Sequence, residues 1–189
     1  MTGCGSSVPS SYAISTGLPG PLGASYSPAS TNFAVYCREA VGMELLLYRT
    51  AADELPFQVV TLSPRVHRAS FFWHVALAGL PAGTLYTWRV TGPAANGSGE
   101  PLEVLDPFAR AISSARWNRA ARVAGGPLGL RGVVMPIAAE PRPVPIGLDG
   151  AIIYELHVGG FTRHPSSGVL APGTFSGLIE KIPYLKDLG

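Results

Sequence analysis

Thr31-Asn32-Phe33-Ala34-Val35-Tyr36-Cys37 is the stretch that decides the fold. Phe33, Val35 and Cys37 alternate with Ala34 and Tyr36, and a period of two sends successive side chains to opposite faces of an extended chain. The alternation then recurs. Met43, Leu45 and Leu47 alternate with Glu44, Leu46 and Tyr48, and Glu44 marks the wetter face. Gln58 to Leu62 is a third run. Phe71, Trp73, Val75 and Leu77 share one face of a fourth, opposite His74, Ala76 and Ala78. Gly79-Leu80-Pro81-Ala82-Gly83 is turn chemistry, and Tyr86, Trp88 and Val90 follow as a fifth strand before a loop from Gly92 to Gly99. Five short strands in about 60 residues, each bounded by turn residues, predict an immunoglobulin-like antiparallel β-sandwich. Its expected inward positions include Phe33, Val35, Leu45, Leu47, Trp73, Val75 and Tyr86.

The composition agrees. The chain has 189 residues, 47% hydrophobic and only 14% charged, with 23 Gly and 18 Pro. Gly and Pro together far exceed the ~12% of average usage, which argues against coiled coils, helical bundles and charged disordered tails. The net charge is +2, so no overall field for nucleic acid or an acidic membrane is implied. Residues 69–88 carry no formal charge, but they alternate and contain Gly79, Pro81 and Gly83, so they do not read as a membrane span. Cys4 and Cys37 make neither a disulfide framework nor a metal site. With no secretory leader visible, a reduced, cytoplasmic chain is expected.

The flanks differ from the sandwich. Residues 1–32 hold 17 Gly, Ser or Pro and are expected to contribute little folded structure, with residues 1–14 disordered and the sandwich spanning 15–112. Residues 113–148, rich in Arg, Gly and Pro and including Pro141, Pro143 and Pro145, read as a linker with a domain boundary near 148. Residues 149–189 are of another kind. Ala151 to Val158 is apolar on both faces, as in a buried parallel strand. Phe175, Leu178, Ile179, Ile182, Leu185 and Leu188 recur every three or four residues, as on one face of a helix. Thr174 would cap its start, Pro183 would kink or divide it, and Gly189 stands where helices end. A strand and a helix are half of a β-α-β unit.

No phosphate loop, dinucleotide fingerprint, nucleophile elbow or HExxH helix is present. His157 and His164 lack a third ligand in pattern, so no metal or cofactor is expected. Asp149 and Glu155 are the only acids near the strand, and nothing in their spacing makes them a catalytic pair. Trp73, Trp88, Tyr86 and Trp117 are the aromatic side chains considered as stacking platforms for a sugar. The first three share faces with other core-type residues. Trp117, in an irregular Arg-rich segment, is the remaining surface candidate, with interdomain packing as its alternative role.

Tyr154-Glu155-Leu156-His157 followed by Gly160-Phe161-Thr162, then Gly173-Thr174-Phe175-Ser176-Gly177-Leu178, then Lys181-Ile182-Pro183-Tyr184-Leu185-Lys186-Asp187-Leu188-Gly189, resembles the start of the α-amylase superfamily barrel. With Asn32 to Tyr36, Gly42 to Leu45, Gly83 to Val90 and Leu105 to Ile112 upstream, the ordered set resembles the isoamylase-type glycogen debranching enzymes over roughly residues 15–189. The resemblance implies a glycogen-binding-module-like sandwich followed by a (β/α)8 barrel, of which only the first strand and helix are present, and hydrolysis of α-1,6 branch linkages in glycogen or starch-like glucans. It implies catalytic carboxylates on later barrel strands that this chain does not contain. No catalytic residue is therefore assigned, and the chain is expected to be inactive alone. Its implied partners are an α-glucan polysaccharide and the remainder of the barrel, with neither nucleic acid nor membrane. The alternatives are a non-catalytic α-glucan-binding sandwich and a sandwich that binds no sugar.

Overall fold

The computed structural model describes residues 9–92, 100–123, 129–136, 149 and 152–189. The chain divides into two compact units, residues 1–140 and 141–189.

In the first unit the period-two runs become strands. The elements are β1 (Ile14–Ser15), β2 (Gly23–Tyr26), β3 (Ser30–Tyr36), β4 (Gly42–Tyr48), β5 (Gln58–Leu62), β6 (Arg68–Ala69), β7 (Phe72–Ala78), β8 (Leu85–Thr91), β9 (Leu102–Val104), β10 (Ile112–Ser113), a short helix α1 (Arg119–Val123) and β11 (Arg131–Val133). One sheet runs β1-β7-β3-β2, with β6 on β7, and the other runs β10-β11-β8-β4-β5, with β9 on β8. All pairings are antiparallel. Phe33 stands opposite Val75 and Val35 opposite Trp73 in the first sheet, while Leu45 faces Trp88 and Leu47 faces Tyr86 in the second. This register turns the apolar sets of both sheets toward one core. All seven expected inward side chains belong to it, and Phe33, Leu45, Leu47, Trp73, Val75 and Tyr86 are completely buried.

Several expectations are corrected. Residues 9–14, expected within the disordered start, run into β1 at Ile14, and residues 16–18 lie over the outer face of the first sheet. Leu18 and Asn32 exchange two hydrogen bonds (2.7 and 3.0 Å), and His74 Nδ1 lies 2.9 Å from the Thr16 carbonyl. Gly17, at φ +74°, lets that segment lie directly on the backbone of β7, where a Cβ would stand 2.7 Å from the Val75 carbonyl carbon. Residues 1–8 lie outside the described residues. Phe71 precedes β7 and is 40% exposed rather than inward, because a turn sets its direction and not the pleat. The span read as a linker, 113–148, begins inside the sandwich. Val133 pairs with Leu85, and Gly132 with both Tyr86 and Ile112. Glycine is required at 132 because a Cβ would stand 2.6 Å from Tyr86 Cε1. The boundary expected near 148 lies outside the described residues. The wetter face of β4 is also covered: Leu46, Tyr48 and Leu85 form a second small cluster.

The second unit holds α2 (Val158–Phe161), a 3-10 turn (Pro165–Ser167), α3 (Phe175–Glu180) and α4 (Ile182–Leu188). The Thr174 hydroxyl caps α3 by accepting from Gly177 N–H at 3.2 Å, and the helical stretch divides at Lys181, two residues before Pro183. Residues 152–157, expected as a parallel strand, carry no ladder. A parallel strand is held by its neighbours, and none of the described residues pairs with this segment. Phe161 packs against Tyr154 and Tyr184, each with ring centroids 6.4 Å away. Buried Thr162 ties the loop, accepting from Gly173 N–H at 2.8 Å through its hydroxyl and from Ser167 at 2.7 Å through its carbonyl.

Candidate functional site

Trp73, Trp88 and Tyr86 are wholly inside the sandwich and present no face to a ligand. Two of them meet a residue that had no assigned role. Asp106, itself buried, accepts from Tyr86 Oη at 3.0 Å and Trp88 Nε1 at 3.2 Å on one carboxylate oxygen, and from Phe108 N–H at 2.8 Å on the other. Burial pushes the Asp106 carboxyl above the usual range against the pull of these three donors. Burial likewise raises the Tyr86 phenol, with the neighbouring carboxylate adding to it. This is a structural hub with no access for a substrate.

Trp117 is 43% exposed. Its backbone N–H donates to the Ser114 carbonyl at 2.9 Å, and the Arg119 guanidinium stands 5.8 Å from its ring centroid. Arg116 anchors this turn to another by donating to the Ala52 carbonyl at 2.9 Å. Arg131 donates to the neighbouring Thr50 and Asp53 carbonyls at 3.1 and 2.6 Å, and its guanidinium lies 3.4 Å from the centroid of the Tyr48 ring. The turn itself is closed by the Asp53 carboxylate, which accepts from the Thr50 hydroxyl at 2.6 Å and from the Thr50 and Arg49 N–H groups; these bonds hold its carboxyl below the usual range. Trp117 thus sits on a pinned surface, with one ring available.

A larger aromatic group was not singled out from the sequence. Tyr36 and Phe72 are directly opposite across β3 and β7 and point away from the core, since Val35 and Trp73 point into it. The Tyr36 ring centroid lies 5.4 Å from Phe72 and 6.1 Å from Phe71, with interplanar angles of 67° and 72°. Tyr36 is 49% exposed, and the Arg38 guanidinium stands 6.0 Å from the Phe71 ring. Beside them runs a shallow groove of about 360 Å³ lined by Tyr36, Cys37, Arg38, Glu39, Ala40 and Val90. The available signal was the doublet Phe71-Phe72, which breaks the alternation.

In the second unit Glu155 and His157 are exposed, as is Asp149. His164 Nδ1 accepts from Ser166 N–H at 3.2 Å, a capping role. Among the described residues no three His, Cys, Asp or Glu side chains gather as a metal site, and no helix is long and apolar enough to cross a membrane. The described groups offer stacking surfaces and hydrogen-bonding rims, and no buried acid–base pair facing a cleft.

Comparison with known proteins finds relatives for both parts of the chain. Residues 21–109 match the model of carbohydrate-binding module 48, the isoamylase N-terminal domain. Isoamylase 1, chloroplastic, of Oryza sativa subsp. japonica is 34% identical over 93% of this chain and 23% of its own length. A glycogen debranching enzyme of Serratia proteamaculans is 30% identical over 93% of this chain and 29% of its own length. The chain thus spans about a quarter of the length of the curated relatives it matches. Among solved structures, a pullulanase from Paenibacillus barengoltzii in complex with maltohexaose and α-cyclodextrin superposes with a TM-score of 0.61 at 25% identity, covering 84% of this chain and 22% of that one. The catalytic module of the glycogen-degrading pneumococcal virulence factor SpuA shares the fold, with a TM-score of 0.65 at 23% identity, over 93% of this chain and 26% of that one. The sandwich at residues 21–109 is therefore similar to carbohydrate-binding module 48, the isoamylase N-terminal domain, in a chain similar to the isoamylases and glycogen debranching enzymes.

Proposed function

We propose that this chain is the glucan-recognising N-terminal part of a glycoside hydrolase that opens α-1,6 branch linkages in glycogen or starch-like α-glucans. The observation that carries the reading is the extent of the similarity. It runs over 93% of the chain, more than the 140 residues of the first unit can supply, and so continues beyond the sandwich. A free-standing module has no use for that continuation. Ile152, Ile153 and Phe175 are 95%, 84% and 75% exposed, and their natural cover is the rest of a barrel.

Within this reading the sandwich contacts glucan through Trp117, and residues 149–189 supply the first β-α segment of the barrel. The reaction itself needs a nucleophile and an acid about 5 Å apart on later strands, a pair to which no residue here is assigned. The expected partners are the α-glucan and the remaining barrel, in a cytoplasmic enzyme. The purified 189-residue chain should release no reducing ends from pullulan or glycogen, yet be retarded in a glycogen-containing native gel. Hydrolysis abolished by Glu155→Gln or Asp149→Asn would overturn the division of labour. Absence of retardation by both glycogen and amylose would remove sugar recognition from the chain.

A further inference from the structure

We propose that Tyr36, Phe71 and Phe72, with Arg38 and Glu39 lining the adjoining groove, form a second α-glucan contact on the outer face of the first sheet, separate from Trp117. The proposal rests on the α-glucan reading above and adds a location to it. Three observations converge. The rings lie inside the segment matched to a carbohydrate-binding module, residues 21–109, whereas Trp117 lies outside it. They make a cluster of three rings, where Trp117 is a single ring. The groove next to them brings a cation and a carboxylate to the edge of an apolar surface.

The geometry selects the kind of sugar. Pyranose C–H faces stack on aromatic rings, while hydroxyls around the sugar rim need donors and acceptors that replace water. Tyr36 stands at 67° and 72° to its two neighbours, so the cluster is an angular corner and not a flat strip. An α-1,4-linked chain turns at each linkage and presents successive sugar faces at an angle. A flat β-1,4-linked chain needs coplanar rings. Arg38 supplies donors and Glu39 acceptors beside the corner, at the groove that leads away from it. Most of the sugar stays in water, so the contact is weak, nearer the millimolar end of the affinity scale.

The test uses the full chain. Maltoheptaose titrated into the labelled protein should shift the amide and ring signals of Tyr36 and Phe71 by NMR, and cellohexaose should not. In glycogen gels, Tyr36→Ala and Phe71→Ala should each weaken binding by roughly tenfold, while Tyr36→Phe, which keeps the ring, should match the parent. Melting temperatures taken alongside separate lost contact from lost fold, and the NMR titration needs no variant at all. A parent retarded by glycogen whose Tyr36 and Phe71 signals stay still overturns this contact and leaves the α-glucan reading standing. Equal shifts with cellohexaose overturn the argument from ring angle. A parent bound by neither glycogen nor amylose overturns both.

Discussion

At the scale of single residues, Asp106 decides more than its sequence neighbourhood announced. Trp88 and Tyr86 could be recognised as core from their shared face, but their polar atoms needed a partner 18 and 20 residues away. No periodicity encodes that distance. Asp106→Ala leaves a buried phenol and a buried indole N–H without their acceptor, frees the Phe108 N–H as well, and should cost about 3 kcal/mol in urea denaturation. The pH dependence has an unusual sign for a carboxylate. Its folded pKa lies above the unfolded value near 4, so the native state binds the proton more readily. The penalty for burying the charge is therefore present above the folded value and relieved as pH falls through it. The stability gap between parent and Asp106→Ala should widen from pH 7 toward pH 4; a gap that narrows would show that the three donors, not burial, dominate.

At the scale of elements, long alternations were legible and short pairings were not. Seven-residue strands such as β3, β4 and β7 repeat their period often enough to be read, and the helix that Pro183 divides carried its own punctuation. β11 has only three residues in a Gly- and Pro-rich context, and its partner on β8 is 46 residues back. The stacking corner was missed for a related reason, since Phe71 was placed by a pleat that begins one residue later. The docking of β11 depends on backbone approaching a buried ring that has no room to retreat. Gly132→Ala should lower stability by about 1–3 kcal/mol, the usual range for overpacking a filled core, read as a drop in melting temperature. An unchanged melting point would mean that β11 moves off β8 without loss.

At the scale of the whole molecule, the two units differ in how much they bury. The sandwich encloses two fully buried tryptophans and a continuous core, whereas in the second unit only Thr162 and Gly177 are buried among the described residues. Amide exchange should follow this division: β3, β4, β7 and β8 protected up to the global unfolding limit, residues 158–188 exchanging far faster. Equal protection in both units would show that the second has a core of its own. The antiparallel pairings also set a timetable for synthesis. Ile14 waits for Leu77 and Tyr86 waits for Gly132, so each sheet is finished by residues made long after those that begin it. At about 5–20 residues per second, a ribosome takes several seconds between the end of β8 and the end of β11. During that interval part of one edge of β8 is a nascent strand with open hydrogen bonds, the kind of edge that recruits a neighbouring chain. The cell's translation rate and its chaperones thus bear on the yield of this sandwich as directly as its thermodynamic stability does.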